Sequence, residues 1–255
     1  MGWARGCCFV LIAALASCGR YGFTPGDDPS GDGGVLGDGR RDGLGDGGGN
    51  GLCPAFAILC EDFESGLTQW PMSEIVGPST TMITTVRPHT GTHALESTTN
   101  QSGSAGVAGI IAPIGAHSTG VIAARLWVNA TVPIENFDLV ISLGDALNDN
   151  YTTVGGNGVG DWVVSEARTS AGTVDTDSTT ATKANQWVCV EVVFTFTATA
   201  HFDVFVDGTQ VVMANARTPI PTYDTIRVGA VRGDNLGFHV FTDDVAVATQ
   251  RIGCN

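Results

Sequence analysis

Lysine is almost missing from this chain. Lys183 stands alone beside eleven arginines, and 12 basic residues face 26 acidic ones, for a formal net charge of −14. Residues 53–255 carry most of the excess, with 20 acids against 8 bases. No basic stripe is available to follow a phosphate backbone, which excludes a nucleic-acid surface. An acidic surface serves solubility and, alternatively, cation binding. Helical periodicity is also missing. No segment places apolar residues at helical spacing over three turns, so a helical core is excluded. Signatures of hydrolytic chemistry are absent too. There is no GxSxG nucleophile turn. The five histidines, at 89, 93, 117, 201 and 239, show no HExxH spacing. His89 and His93 flank a turn, where a turn role competes with metal binding. With no CxxC in the chain, a four-thiolate zinc site has little support.

The N-terminus reads as an address. Arg5 precedes the apolar run CCFVLIAALA at 7–16, too short for a permanent membrane span. Small residues follow, ending Leu15-Ala16-Ser17-Cys18, the layout of a secretory signal peptide over 1–17. The Leu-Ala-Ser-Cys ending resembles the bacterial lipobox. That resemblance implies a lipidated Cys18 as first mature residue, and anchoring by several acyl chains at about 0.8 kcal/mol per buried CH₂. The alternative is an ordinary signal peptide with a coincidental cysteine. The expected location is the outer membrane or surface of a Gram-negative bacterium, with the membrane as a partner through the anchor. Residues 18–52 repeat Asp-Gly steps with few apolar side chains, so a disordered Gly/Asp-rich linker is expected. Such a coil spans roughly 30 Å end to end. It lacks both the ligand spacing of an EF-hand and the strict GGxGxD period of calcium-binding nonapeptides.

From Cys53 onward β-branched and aromatic residues are dense and turns are frequent. Twelve strands are expected, at 57–63, 82–87, 93–98, 107–112, 121–129, 137–143, 161–168, 186–196, 201–206, 210–214, 225–231 and 240–248. Alternation is clearest where Val188, Val190, Val192 and Phe194 share one face and Cys189 and Glu191 the other. Asp207-Gly208 makes a two-residue hairpin turn. A dozen short strands without helices mean an all-β sandwich or barrel.

Five segments in order carry a family resemblance: LCEDFESG, HTGTHAL, QWVCVEV, FDVFVDGTQV and FTDDVAVATQRIGC. Together they resemble the concanavalin A-like lectin/glucanase superfamily, and within it the laminin-G-like (LamG-like) jelly-roll domains of bacterial surface lipoproteins. The resemblance covers nearly all of 55–254. It implies a two-sheet antiparallel jelly-roll β-sandwich over 53–255 with first and last strands adjacent.

With the signal and anchor removed, Cys53, Cys60, Cys189 and Cys254 remain, an even number suited to two disulfides. If Asp62 faces Asp244, opposed residues sum to 306, and Cys53 then nearly faces Cys254. The preferred pairing is 53–254 with 60–189; the rival is 53–60 with 189–254. A bridge closing most of the domain would stabilise it by roughly 4–5 kcal/mol in the chain-entropy model.

The same register brings Glu61, Asp62 and Glu64 toward Asp243 and Asp244. Ionised carboxylates so gathered repel, and Ca²⁺ would relieve them. In related jelly-roll carbohydrate-binding modules a Glu ending the first strand and an Asp of the last hold a structural calcium. The resemblance therefore implies Glu64 with Asp243 or Asp244 as metal ligands, with carbonyls near Thr92. The alternative is solvated charges on alternate faces. Glucanases of the superfamily use paired acids on an ExDxxE-like strand; none occurs here, so no catalytic residue is expected. Trp127 and Trp187 read as buried anchors. Trp162, in GGNGVGDWVV, and nearby Tyr151 are the ligand-platform candidates, with core packing the competing role for Trp162. The expected function is a non-catalytic envelope lipoprotein binding glycan or a cell-surface protein. A divergent polysaccharide hydrolase and a purely structural or adhesive envelope protein are the alternatives.

Overall fold

The computed structural model describes residues 53–100, 106–145, 150–169, 171–233 and 237–254. Cys18, the signal segment and the linker lie outside them. Among the described residues no helix forms, and fifteen strands fold into two antiparallel sheets, a jelly-roll sandwich. In chain order these are β1 (Ala57–Glu61), β2 (Met72–Val76), β3 (Thr80–Thr84), β4 (Ala94–Thr98), β5 (Gly106–His117), β6 (Gly120–Ala130), β7 (Leu139–Asp145) and β8 (Asn150–Gly156). They continue with β9 (Asp161–Arg168), β10 (Gly172–Ala181), β11 (Val188–Phe196), β12 (His201–Val206), β13 (Thr209–Asn215), β14 (Tyr223–Gly233) and β15 (His239–Ala248). The first sheet runs β13-β12-β11-β6-β15-β4-β3, with β1 also on β15; the second runs β10-β9-β8-β7-β14-β5-β2.

The core lies between the sheets and follows the period of two. On β11 the side chains of Val188, Val190, Val192 and Phe194 enter it, against Leu126 and Val128 of β6 and Phe202 and Val204 of β12. Phe194 touches Phe196 and Tyr223 edge-on, a favourable ring geometry. Asp207 and Gly208 both take positive φ in the expected hairpin turn.

Three strands escape the sequence pattern, for three reasons. β2 is a short edge strand with most of its side chains in water. β10 is an exposed edge of alternating Thr and Asp. β8 ends in Gly155-Gly156 because the 134–138 segment crosses it. A Cβ on Gly155 would sit 2.0 Å from the Asp138 carbonyl oxygen, and one on Gly156 1.8 Å from that of Ile134. The glycines beside Trp162 are therefore a packing requirement.

The first and last strands pair as expected. Leu59, Cys60 and Glu61 face Val247, Ala246 and Val245. The disulfide pairing derived from that register is wrong, however: Cys53 bonds Cys60, and Cys189 bonds Cys254. The register ends before the cysteines do. Ahead of β1 the chain turns back, with Ala57 N donating to Pro54 O at 2.9 Å, and this folds Cys53 onto Cys60. After β15 the tail leaves the ladder and crosses β11. There Glu191 Oε1 accepts from Ile252 N (2.6 Å) and Gly253 N (3.0 Å), delivering Cys254 to Cys189.

Candidate functional site

Two places gather the residues singled out from the sequence. The first is the junction of β1, β15 and the turn at 87–93. In a regular strand, neighbouring side chains point to opposite faces. β15 breaks that rule by a bulge between Asp243 and Ala246, with Asp244 at φ 49°. Asp243 and Asp244 therefore reach the same turn. Asp243 Oδ2 accepts from His89 N (2.8 Å) and Thr90 N (3.3 Å). Asp244 Oδ1 accepts from Thr90 Oγ1 (2.8 Å), and its Oδ2 lies 2.6 Å from His89 Nδ1. Burial, reinforced by the charge of Asp244, pushes the Asp243 carboxyl up to about 7 against the N–H groups that favour its ionised form. Burial likewise raises Glu61 to about 6.

Glu64 holds the far side of the same turn. Its Oε1 accepts from Thr92 N (2.7 Å) and His93 N (2.8 Å), and its Oε2 from Thr92 Oγ1 (2.7 Å). What burial would raise, these bonds overcome, holding its carboxyl down at about 2. Gly91, at φ 61°, makes room: a Cβ there would stand 2.3 Å from Glu64 Oε1. The expected metal ligands thus share one turn, and they face its N–H and O–H donors. Among the described residues no three His, Cys, Asp or Glu side chains converge as a metal cluster. Two adjacent buried carboxylates remain a strong local charge, of the kind a divalent cation neutralises.

Trp127 and Trp187 depart from their expected roles as buried anchors. Trp127 points outward from β6, opposite Asp243 and Cys189, and is only partly covered. His89 stacks on it at 3.9 Å between centroids, with Trp187 edge-on to the imidazole at 5.4 Å. These rings wall the turn from outside.

The second place is the outer face of the second sheet. A groove of about 190 Å³ crosses β7, β8, β9 and β14 there, bordered by Phe137, Tyr151, Thr153, Ser165, Thr173 and Arg227. Alternation sets this face: Thr152 and Val154 point inward from β8, leaving Tyr151 and Thr153 outside. The Arg227 guanidinium lies 4.3 Å from the centre of the Tyr151 ring, and its Nη2 donates to the phenol oxygen at 3.2 Å. Glu74 of β2 balances that charge at 3.3 Å. Phe137, at φ 62° beside Asn136 at 51°, holds a backbone conformation unfavourable for a bulky residue, at the groove's edge. Tyr151 faces outward and borders this groove. Trp162 takes the core role that competed with a platform: it is 1% exposed, because the even positions of β9 face inward. Arg227, Glu74 and Phe137 went unnoticed. The available signal was a charged residue at an outward position inside the apolar strand IRVGAV.

No protein-family model matches the chain, and no curated protein is similar to it in sequence. Solved structures are similar in shape. The cellulose-induced protein Cip1 is 18% identical with a TM-score of 0.60, over 77% of this chain and 100% of that one. An endo-β-1,4-glucuronan lyase from the fungus Trichoderma reesei is 16% identical with a TM-score of 0.58, over 76% of this chain and 96% of that one. The binding domain of botulinum neurotoxin DC, solved in complex with SialylT, is 10% identical with a TM-score of 0.54, over 78% of this chain and 49% of that one. At such identities the likeness shows the jelly-roll fold, and it agrees with the concanavalin A-like expectation.

Proposed function

We propose that this is a non-catalytic, exported lipoprotein whose LamG-like sandwich binds glycan across the outer face of its second sheet. The groove around Tyr151 and Arg227 carries the reading. It offers an aromatic ring, a guanidinium and the Thr173 hydroxyl on a rigid sheet, a mixture that sugar recognition uses. Glycosidases need two carboxyl groups flanking the scissile bond. The described residues lining this groove include no carboxylate, and the two at its margin are engaged, Glu74 with Arg227 and Asp175 with the Ser165 hydroxyl. Two of the similar structures are a cellulose-induced protein and a glucuronan lyase, which supports carbohydrate as the ligand class. Export and anchoring rest on the Leu-Ala-Ser-Cys ending at Cys18, with the linker as spacer. Calcium is the proposed structural ion of the β1–β15 junction, held by Glu64, Asp243 and Asp244 with carbonyl groups of the adjoining turn. Its support is the buried, like-charged pair on β15.

A glycan array probed with the full chain tests the binding. Tyr151→Ala and Arg227→Ala are expected to lose the signal while keeping the wild-type melting temperature. Binding of no glycan, binding unchanged in both variants, or depolymerisation of a bound polymer would overturn the proposal.

A further inference from the structure

The segment that crosses β8 turns tightly at 135–138, and this turn breaks the residue preference of its type. Asp138 N donates to Glu135 O at 2.9 Å, and the two residues between them, Asn136 and Phe137, have φ of 51° and 62°. Positive φ at both central positions marks a type I′ turn, for which Asn-Gly is a preferred pair. The hairpin at Asp207-Gly208 follows that preference, with glycine second. At 136–137 the first residue conforms and the second is phenylalanine. A β-carbon disfavours left-handed backbone, and in a bulky residue the conformation is an outlier. The surroundings hold it in place. Asn136 N donates to Asn157 O and Phe137 N to Gly156 O, both at 2.8 Å, and Gly156 N donates to Asp138 O at 3.0 Å.

Core packing does not account for the Phe137 ring. Phe63 is the contrasting case: its φ is 61°, but its ring is fully buried in the core, and apolar burial offsets the strain. Phe137 is only partly covered, and it is not among the described residues that form the core or pack against it. It borders the groove that also holds Tyr151 and Arg227. Strained backbone of this kind clusters at ligand sites, where it sets a side chain in position before the ligand arrives.

The two rings stand at different ends of the groove. Tyr151 leaves β8 near its start, whereas Phe137 is bonded to Gly156 at its end. From Tyr151 to Gly156 is five residues of strand, about 17 Å at roughly 3.4 Å per residue. One sugar is too short to rest on both.

From this we infer that Phe137 is the second stacking ring of the glycan groove, and that the ligand is a chain of several sugars laid along β8. Tyr151 with Arg227 holds one part of the chain. Phe137 takes the apolar face of a sugar further along, on a ring fixed in advance by the turn. The inference rests on the Tyr151 groove as the glycan site, and adds the residue that makes affinity depend on chain length.

The test is binding of the full chain to β-1,4-linked glucose and glucuronate oligomers, from single sugars to hexasaccharides. Wild-type affinity should rise at least tenfold with length for the sugar that binds. Phe137→Gly should remove most of that rise and leave the weaker binding of short oligomers unchanged. Its melting temperature should stay the same or increase, because glycine takes positive φ at no steric cost. Phe137→Tyr keeps a ring on the same backbone and should keep the rise. Tyr151→Ala should instead lose binding at every length. A wild-type affinity independent of length, an equal rise in Phe137→Gly, or loss of the rise in Phe137→Tyr would overturn this inference and leave the groove standing. So would a melting temperature lowered by more than about 4 °C in Phe137→Gly, which would make the ring a packing element. Wild-type binding at no length would remove the groove reading, and this inference with it.

Discussion

Replacing Glu191 by alanine should cost the whole domain stability, although the residue lies on the outer face of β11. Its carboxylate is fully buried. Oε1 accepts two peptide N–H groups of the C-terminal tail, and Oε2 accepts Arg251 Nε at 3.1 Å. Across the ladder it faces Arg125, whose pKa burial lowers while Asp244 and Glu191 oppose that shift. Hydrogen bonds to a buried charge are worth about 1.5–3 kcal/mol each, and removing one partner of a buried pair costs about 3–5 kcal/mol. The two figures overlap, because both describe one carboxylate, and Arg251 is half exposed and adds little. Glu191→Ala should therefore cost about 3–5 kcal/mol, and Glu191→Gln, which keeps one carbonyl for the two N–H groups, about 1–2 kcal/mol. Urea unfolding of oxidised protein measures both, and hydrogen exchange at the Ile252 and Gly253 amides reports the tail directly. The reasoning fails if Glu191→Ala leaves the urea midpoint unchanged while those amides lose protection. The tail would then fray by itself, and Arg125 would not need its partner.

Other expectations are briefer. In calcium-free buffer, stability should rise as pH falls from 8 toward 5, because folded Asp243 and Glu61 take up protons near 7 and 6 while the unfolded chain does so only near 3.8 and 4.5. Below about 4.5 the trend should reverse, as Glu64, held down at about 2 in the fold, loses its contribution. Asp243→Asn should flatten most of the upper limb, and a wild-type profile flat from pH 5 to 8 would contradict these shifts. Gly156→Ala should abolish soluble expression or lower the melting temperature by more than 10 °C, since its Cβ would strike the Ile134 carbonyl. Calcium should raise the melting temperature and chelator reverse it, with Glu64→Gln insensitive to both; identical melting curves with and without chelator would remove the ion from the account. Cys18→Ala should move the protein from membrane to soluble fractions, and unchanged membrane retention would refute the anchor.

Much of the sandwich was legible because its core strands are amphipathic. β11 and β12 show their faces in sequence, and the 306 register of β1 on β15 holds from Leu59 to Glu61. What escaped depends on contacts that a strand pattern does not encode. The turn at Pro54 and the crossing tail decide the disulfides. The bulge at Asp244 brings two consecutive carboxylates to one turn, and nothing in FTDDVAV marks it. Trp162, a platform candidate weighed against core packing, is core, and Gly155 and Gly156 beside it only make room for a passing backbone. Tyr151 was legible as a ligand candidate, but its partner Arg227 lies 76 residues away in sequence and meets it only through the β7–β14 pairing.

The acidic residues of the domain have a common physical use. A fold without helices leaves long connections outside its ladders, and their peptide N–H groups need acceptors wherever they are covered. Glu191 supplies them to the tail at Ile252 and Gly253, Asp243 to the turn at His89 and Thr90, Glu64 to Thr92 and His93, and Glu166 to the loop at Arg217. One ionised oxygen accepts two N–H groups in several of these cases, which a hydroxyl or amide does less strongly. Glu64, held down at about 2 by such bonds, is a poor candidate for acid–base chemistry near neutral pH, because a proton placed on it would give up the bonds that hold the turn. Asp175, at the edge of the Tyr151 groove, is committed likewise, to the Ser165 hydroxyl.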